Sequence, residues 1–160
     1  MSIFTLANFQ WLEATWLGTV VRQSLWMFPV IECVHLLALA MLGGTVLLVD
    51  MRLLGLGLSD QSSADLAKKV QPWMIGSLIT SIVTGILMFL SEAVKCYYSP
   101  PFWYKMTLLI LATIFALTWR RRVATSDPGR ISPLAVKLTA IVSVALWFGV
   151  GFSGRWIAFY

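Results

Sequence analysis

The sequence predicts an all-α fold: a four-helix transmembrane bundle preceded by an N-terminal amphipathic interfacial helix. Three observations carry this. Of the 160 residues, 59% are hydrophobic and only 12% charged, where soluble domains carry about 25% charged residues. A soluble chain this small would have too few polar groups to cover its surface. The apolar residues also fall into four runs, each close to the roughly 20 residues that a hydrocarbon core requires. Finally, most of the eight Trp stand near the ends of those runs, where amphipathic rings settle at the headgroup level.

The elements follow in order, and together they make residues 1–160 a single integral membrane domain. Nothing at the N-terminus reads as a cleavable signal, because Met1–Thr5 lacks a basic region and Asn8, Gln10 and Glu13 interrupt the first apolar stretch. Residues 2–23 are expected to form the interfacial helix. Phe4, Phe9, Trp11, Leu12, Trp16, Leu17 and Val20 gather on one side of it, away from Asn8, Gln10, Glu13 and Arg22. The first span is expected over residues 25–49, with Pro29 in its first turns, where a missing N–H costs least. A polar loop, Ser59–Lys69, offers helix-start chemistry at Ser62 or Ser63. The second span is placed at 72–94, and a stiff turn through Tyr97, Tyr98, Ser99, Pro100 and Pro101 leads to the third at 103–119. That span is expected to stop at Arg120, Arg121 and Arg122. The loop Ser126–Arg130 precedes a fourth span at 133–152.

The net charge is +5, but the basic residues flank apolar runs rather than lining a soluble face, so no nucleic-acid partner is expected and the lipid bilayer is. Arg52, Lys68, Lys69, Arg120, Arg121, Arg122, Arg130 and Lys137 fall on one side. Arg22, Lys95, Lys105 and Arg155 fall on the other. The rule that cytoplasmic loops collect Lys and Arg then places both termini outside, on the periplasmic face of a bacterial inner membrane.

Few residues in the spans can do chemistry. His35 is the only histidine and lies roughly 15 Å into the first span at about 1.5 Å per residue. A polar side chain at that depth needs an inward face and a partner. Glu32, three residues earlier, shares its helical side, whereas Cys33 points elsewhere. His35 reads either as a structural histidine bonded to Glu32 or to a hydroxyl, or as an axial ligand or proton-relay group. A di-iron reading of ExxH fails for want of a second such motif and further carboxylates. Ser77, Ser81, Thr84, Met88 and Ser91 form a polar stripe at helical spacing, which commonly serves close helix packing. Met88 lies near the depth of His35 in an antiparallel pair, and Met74 is the other methionine able to ligate haem iron or copper. Asp50 and Arg52 close the first span. There Arg52 reads as a topological anchor or as a partner for a propionate or lipid headgroup. Lys105 is expected to snorkel to the interface. Gly43, Gly44, Gly85, Gly149, Gly151 and Gly154 leave room for a close backbone or a flat cofactor. Cys33 and Cys96 have neither CxxC nor zinc spacing. With no nucleophile triad, Walker loop or GxGxxG, a hydrolase or nucleotide enzyme is not expected and no catalytic residue is assigned.

The run Glu32-Cys33-Val34-His35, with Gly43-Gly44 and Asp50-Met51-Arg52-Leu53-Leu54-Gly55, resembles an uncharacterised bacterial inner-membrane family with an ExxH…G…DxRLLG pattern. Thr84-Gly85 and Phe102-Trp103-Tyr104-Lys105 extend that likeness over most of the chain. More distantly the layout resembles the CopD copper-resistance proteins and the HemJ-type protoporphyrinogen oxidases. The HemJ likeness implies haem b held by a histidine, here His35, and a methionine, here Met74 in Pro72-Trp73-Met74-Ile75; the depth argument favours Met88 instead. The expected function is electron transfer through haem b, to or from quinone or a redox partner subunit. Two copies in a homo-oligomer can also share one haem. The alternatives are a channel or transporter whose pathway His35 and the hydroxyl stripe line, a copper-handling module that uses His35 and Cys33, or a structural subunit of a membrane complex.

Overall fold

In the computed structural model, residues 5–57, 62–126 and 130–159 are described, and they are helical almost throughout. Four stretches are long and apolar enough to cross a membrane: Met27–Leu54, Ser63–Ser91, Pro100–Thr125 and Pro133–Phe159. Two short helices, α1 (Leu6–Glu13) and α2 (Trp16–Gln23), precede α3 (Met27–Leu54). Then come α4 (Ser63–Ser91), a short α5 (Ala93–Tyr98) and α6 (Pro100–Phe115). A π-helical turn (Ala116–Arg120) joins α6 to α7 (Arg121–Thr125), and α8 (Pro133–Trp156) closes the chain with a 3₁₀ turn (Ile157–Phe159). The all-α architecture and its four apolar helices agree with the sequence.

Boundaries differ where a residue imitates a stop. The second span starts at Ser63, well before Pro72, because Ser62 Oγ accepts from the Asp65 amide at 3.0 Å and so caps the helix. Pro72 and Lys68, whose carbonyl loses its helical donor, are both exposed, so the interruption is tolerated. At the far end of the first span Gly55 takes the left-handed conformation (φ 81°). The Leu56 amide donates back to the Met51 carbonyl at 2.9 Å, a Schellman closure. The Arg triplet does not end the third span, which runs on to Thr125. Parts of the Ser59–Lys69 and Ser126–Arg130 loops, and Phe4 of the N-terminal segment, lie outside the described residues.

The N-terminal segment is two helices rather than one. The break falls at Ala14–Thr15, where Thr15 caps α2 by accepting from the Gly18 amide. Phe9, Gly18 and Val21 turn inward, while Trp11, Trp16 and Leu17 are exposed, so the expected apolar side is split between two faces. Glu13 ties this segment down. One of its oxygens pairs with Arg22, and the other accepts from the Val94 amide at 2.8 Å, serving the otherwise unpaired N-terminus of α5.

Among the spans, α3 packs chiefly on α4 and α6 on α8, with α8 also lying against α3. One apolar cluster (Val49, Leu53, Leu66, Val123, Ala124, Ala140) fills the Arg-rich end. A second (Leu42, Val46, Met74, Leu78, flanked by Trp147) fills the middle. Leu36, Leu37, Ile79, Ile82, Ile110 and Ile114 face outward, an apolar exterior suited to lipid.

Candidate functional site

All four spans contribute to a polar layer around His35. The ring is buried at 8% exposure, and its Nδ1 lies 2.8 Å from Thr84 Oγ1 on α4. Thr84 has a single hydroxyl proton, and that proton is directed at the Thr80 carbonyl 2.7 Å away. With that proton so placed, Thr84 accepts and His35 Nδ1–H donates. In the neutral ring this leaves the lone pair on Nε2. Gly85 matters for the same contact, because a Cβ there would stand 3.3 Å from His35 Cε1. Lys105 of α6 folds inward across Gly154 of α8, where a Cβ would lie 3.4 Å from Lys105 Cε. Its charge acts on His35. Lys105 thus turns into the bundle instead of snorkelling outward, because a glycine on α8 leaves room for its stem.

A second polar layer lies about 22 Å farther along α3 at roughly 1.5 Å per residue. Asp50 is fully buried, and Arg120 Nε donates to its Oδ1 at 2.6 Å. Arg120 Nη2 donates to the Val46 carbonyl at 2.8 Å, while Nη1 sits 3.9 Å from Met74 Sδ. Arg120 was expected in a basic loop. It is instead a bundle residue at 4% exposure, because the π-helical turn Ala116–Arg120 inserts an extra residue and turns it inward. Arg121 and Arg122 stay exposed. Ser143 of α8 approaches the Asp50 carboxylate, yet neither Ser143 Oγ nor Asp50 Oδ2 completes a hydrogen bond. Between the two layers stands the apolar cluster of Leu42, Val46, Met74 and Leu78.

The remaining candidates distribute unevenly. Glu32 is exposed and does not meet His35; at 3.6 residues per turn the two stand about 60° apart around α3, and the packing face takes His35 alone. Of the two partners considered for His35, the hydroxyl is the one present. The stripe is inward as expected, with Ser77, Ser81, Thr84 and Ser91 buried and Met88 half-buried. Met74 is engaged with Arg120 in the other layer, so the chain does not bring it to His35. Arg52, half-buried, lies about 25 Å from His35 along α3. Cys33 is exposed while His35 is buried, so the pair does not converge. Gly43, Gly44 and Gly151 have no atom near an added Cβ, so within the chain they serve no close approach. Among the described residues no cluster of three His, Cys, Asp or Glu side chains is placed to hold a metal ion.

Residues 8–160 match the sequence family described as a family of unknown function, DUF6644. The chain belongs to that family. The uncharacterised membrane family expected from the ExxH and DxRLLG residues agrees with this assignment at the level of an uncharacterised family. No curated protein and no solved structure matches the DUF6644 chain. It is a multi-pass membrane protein by its four candidate spans.

Proposed function

We propose that this DUF6644 protein carries a b-type haem with His35 as axial ligand and takes part in electron transfer in a bacterial inner membrane, both termini periplasmic. The observation that supports the reading is the commitment of His35 Nδ1–H to Thr84. A ligating histidine characteristically donates its other ring N–H to a fixed acceptor, which sets its tautomer and orientation, and Nε2 is then the donor nitrogen. The likeness to HemJ-type proteins supports the same residue. Met88, one turn beyond Thr84 and half-buried, fits the second axial position better than Met74, and His35 of a second copy is the other donor. Lys105, rather than the remote Arg52, is the cation near enough to pair with a propionate. The haem supplies reversible one-electron exchange. The chain supplies the oriented imidazole and, in Lys105, a cation beside it.

An open pathway is disfavoured by the apolar cluster between the polar layers, and copper by the divergence of Cys33 from His35. The test is an absorption spectrum of the purified protein. A Soret band that His35→Ala abolishes is expected, and Met88→Leu changes its position if methionine is the sixth ligand. A colourless preparation from haem-replete cells overturns the proposal.

A further inference from the structure

The Asp50–Arg120 layer has a feature that a plain ion pair does not explain. Arginine and a carboxylate ordinarily pair through two parallel N–H···O bonds. Here only Oδ1 is engaged, by Nε, while Arg120 spends another N–H on the Val46 carbonyl. Oδ2 of Asp50, at 0% exposure, has no donor, and Ser143 Oγ beside it has no partner. A carboxylate with one orphaned oxygen is costly in a buried site. A neutral carboxylic acid fits the same geometry, since it has one acceptor oxygen and one O–H donor.

We propose that Asp50 is a reversible proton-binding site. In the protonated state Oδ1 still accepts from Arg120 Nε–H and the new Oδ2–H donates to Ser143 Oγ, where the ionised carboxylate would instead accept from the Ser143 hydroxyl. The proton comes from water at the Arg-rich end, one helical turn away past Leu54. No bond other than O–H forms or breaks. Of the groups facing Asp50, Arg120 is the charged one. α8 presents Ser143 to the carboxylate, while Met74 of α4 and the Val46 carbonyl of α3 meet the guanidinium, none of them titratable. Protonation leaves the guanidinium without its counter-charge. A cleft of about 30 Å³ lined by Gln71, Met74, Arg121 and Thr125 adjoins Arg120, room for about one water beside the guanidinium. This inference is independent of the haem reading.

The experiment is infrared difference spectroscopy of the full chain in detergent while the pH is stepped downward. A carboxylic-acid carbonyl band is expected to rise on acidification, to be absent from Asp50→Asn, and to shift to higher frequency in Ser143→Ala, where its hydrogen bond is lost. Ser143→Ala keeps the Asp50–Arg120 contact, so it decides the matter even if Asp50→Asn fails to fold. No such band before the protein unfolds, or a band that Ser143→Ala leaves in place, overturns the proposal.

Discussion

Replacing Thr84 with valine keeps the shape of the side chain and removes the acceptor that faces His35. The structure bounds the consequence. The Thr80 carbonyl loses a hydroxyl donor but keeps its helical amide, so no orphan arises there. His35 Nδ1–H, in a ring at 8% exposure, loses its 2.8 Å hydroxyl partner, and the Ser81 carbonyl is the acceptor that remains beside the ring. A typical buried hydrogen bond contributes about 0.5–1.5 kcal/mol, and that is the expected loss of unfolding free energy in Thr84→Val. Thr84→Ser, which restores the hydroxyl, should stay near the parent. The same free energy acts on the ring, because about 1.4 kcal/mol is a tenfold change in an equilibrium. The balance between the Nδ1–H and Nε2–H tautomers should therefore move by up to roughly tenfold.

His35 is the only histidine, so protein labelled with ¹⁵N-histidine yields a single pair of imidazole nitrogens, free of overlap. In detergent-solubilised protein free of added cofactor, the parent should show Nδ1 as the protonated nitrogen, Thr84→Ser should match it, and Thr84→Val should not. Denaturant unfolding of the three proteins supplies the energy. If the parent carries its proton on Nε2, Thr84 is not an acceptor. Nε2 is then not free to ligate, whatever the stability data show.

Two further predictions test packing and ionisation. Alanine at Gly18 would put its Cβ 2.5 Å from the Leu90 carbonyl oxygen and 2.9 Å from that of Glu13, both backbone atoms, whereas alanine at Gly43 meets nothing. Gly18→Ala should cost about 1–3 kcal/mol and loosen α1–α2 toward protease, while Gly43→Ala should be neutral or favourable by up to about 1 kcal/mol; equal effects would contradict the docking of α2 on α4. Cys96, on α5 outside the spans, is pushed from its ordinary 9.0 up to about 11, first by burial and then by the charge of Glu92. Its thiolate is therefore scarce at pH values below that range, and in Cys33→Ser protein alkylation of Cys96 should stay slow near the ordinary value and accelerate as pH climbs toward 11; rapid labelling of folded protein at neutral pH would contradict its buried placement.

What was legible in the sequence follows from the solvent. Lipid demands about 20 apolar residues per crossing, so four spans show in composition before any partner is known. The ends were harder, because Pro72 and the Arg triplet imitate stops. Pro72 is harmless where its orphaned carbonyl faces outward, and only Ser62 marks the true start. Arg120 illustrates the larger difficulty. A cation at the end of an apolar run reads as an anchor, and two of the three arginines behave so. The third turns inward through a π-helical turn to meet an aspartate 70 positions earlier in the chain. Neither the turn nor the partner has a local signal. His35 is the intermediate case: its hydroxyl partner, Thr84, belongs to a stripe that shows at helical spacing. Which side of α3 meets α4, and hence the exclusion of Glu32, depended on packing.

The two polar layers pose a question that stability alone does not answer. A buried ion pair is often no more stabilising than apolar residues of similar volume, and a bundle in lipid can be held together by small-residue packing, which α4 already provides through Ser77 and Ser81. Asp50 and Arg120 are therefore not needed to hold α3 to α6, and their one-sided contact is not the geometry that would hold them best. Nor does the apolar cluster of Leu42, Val46, Met74 and Leu78 allow water to connect them to His35 in this state. An electron moving at the His35 layer and a proton binding at Asp50 would thus be separated in space and joined through α3, the helix that carries both. Such coupling is measurable as a dependence of His35-centred redox behaviour on Asp50, and it would vanish in Asp50→Asn if α3 transmits charge state from one layer to the other.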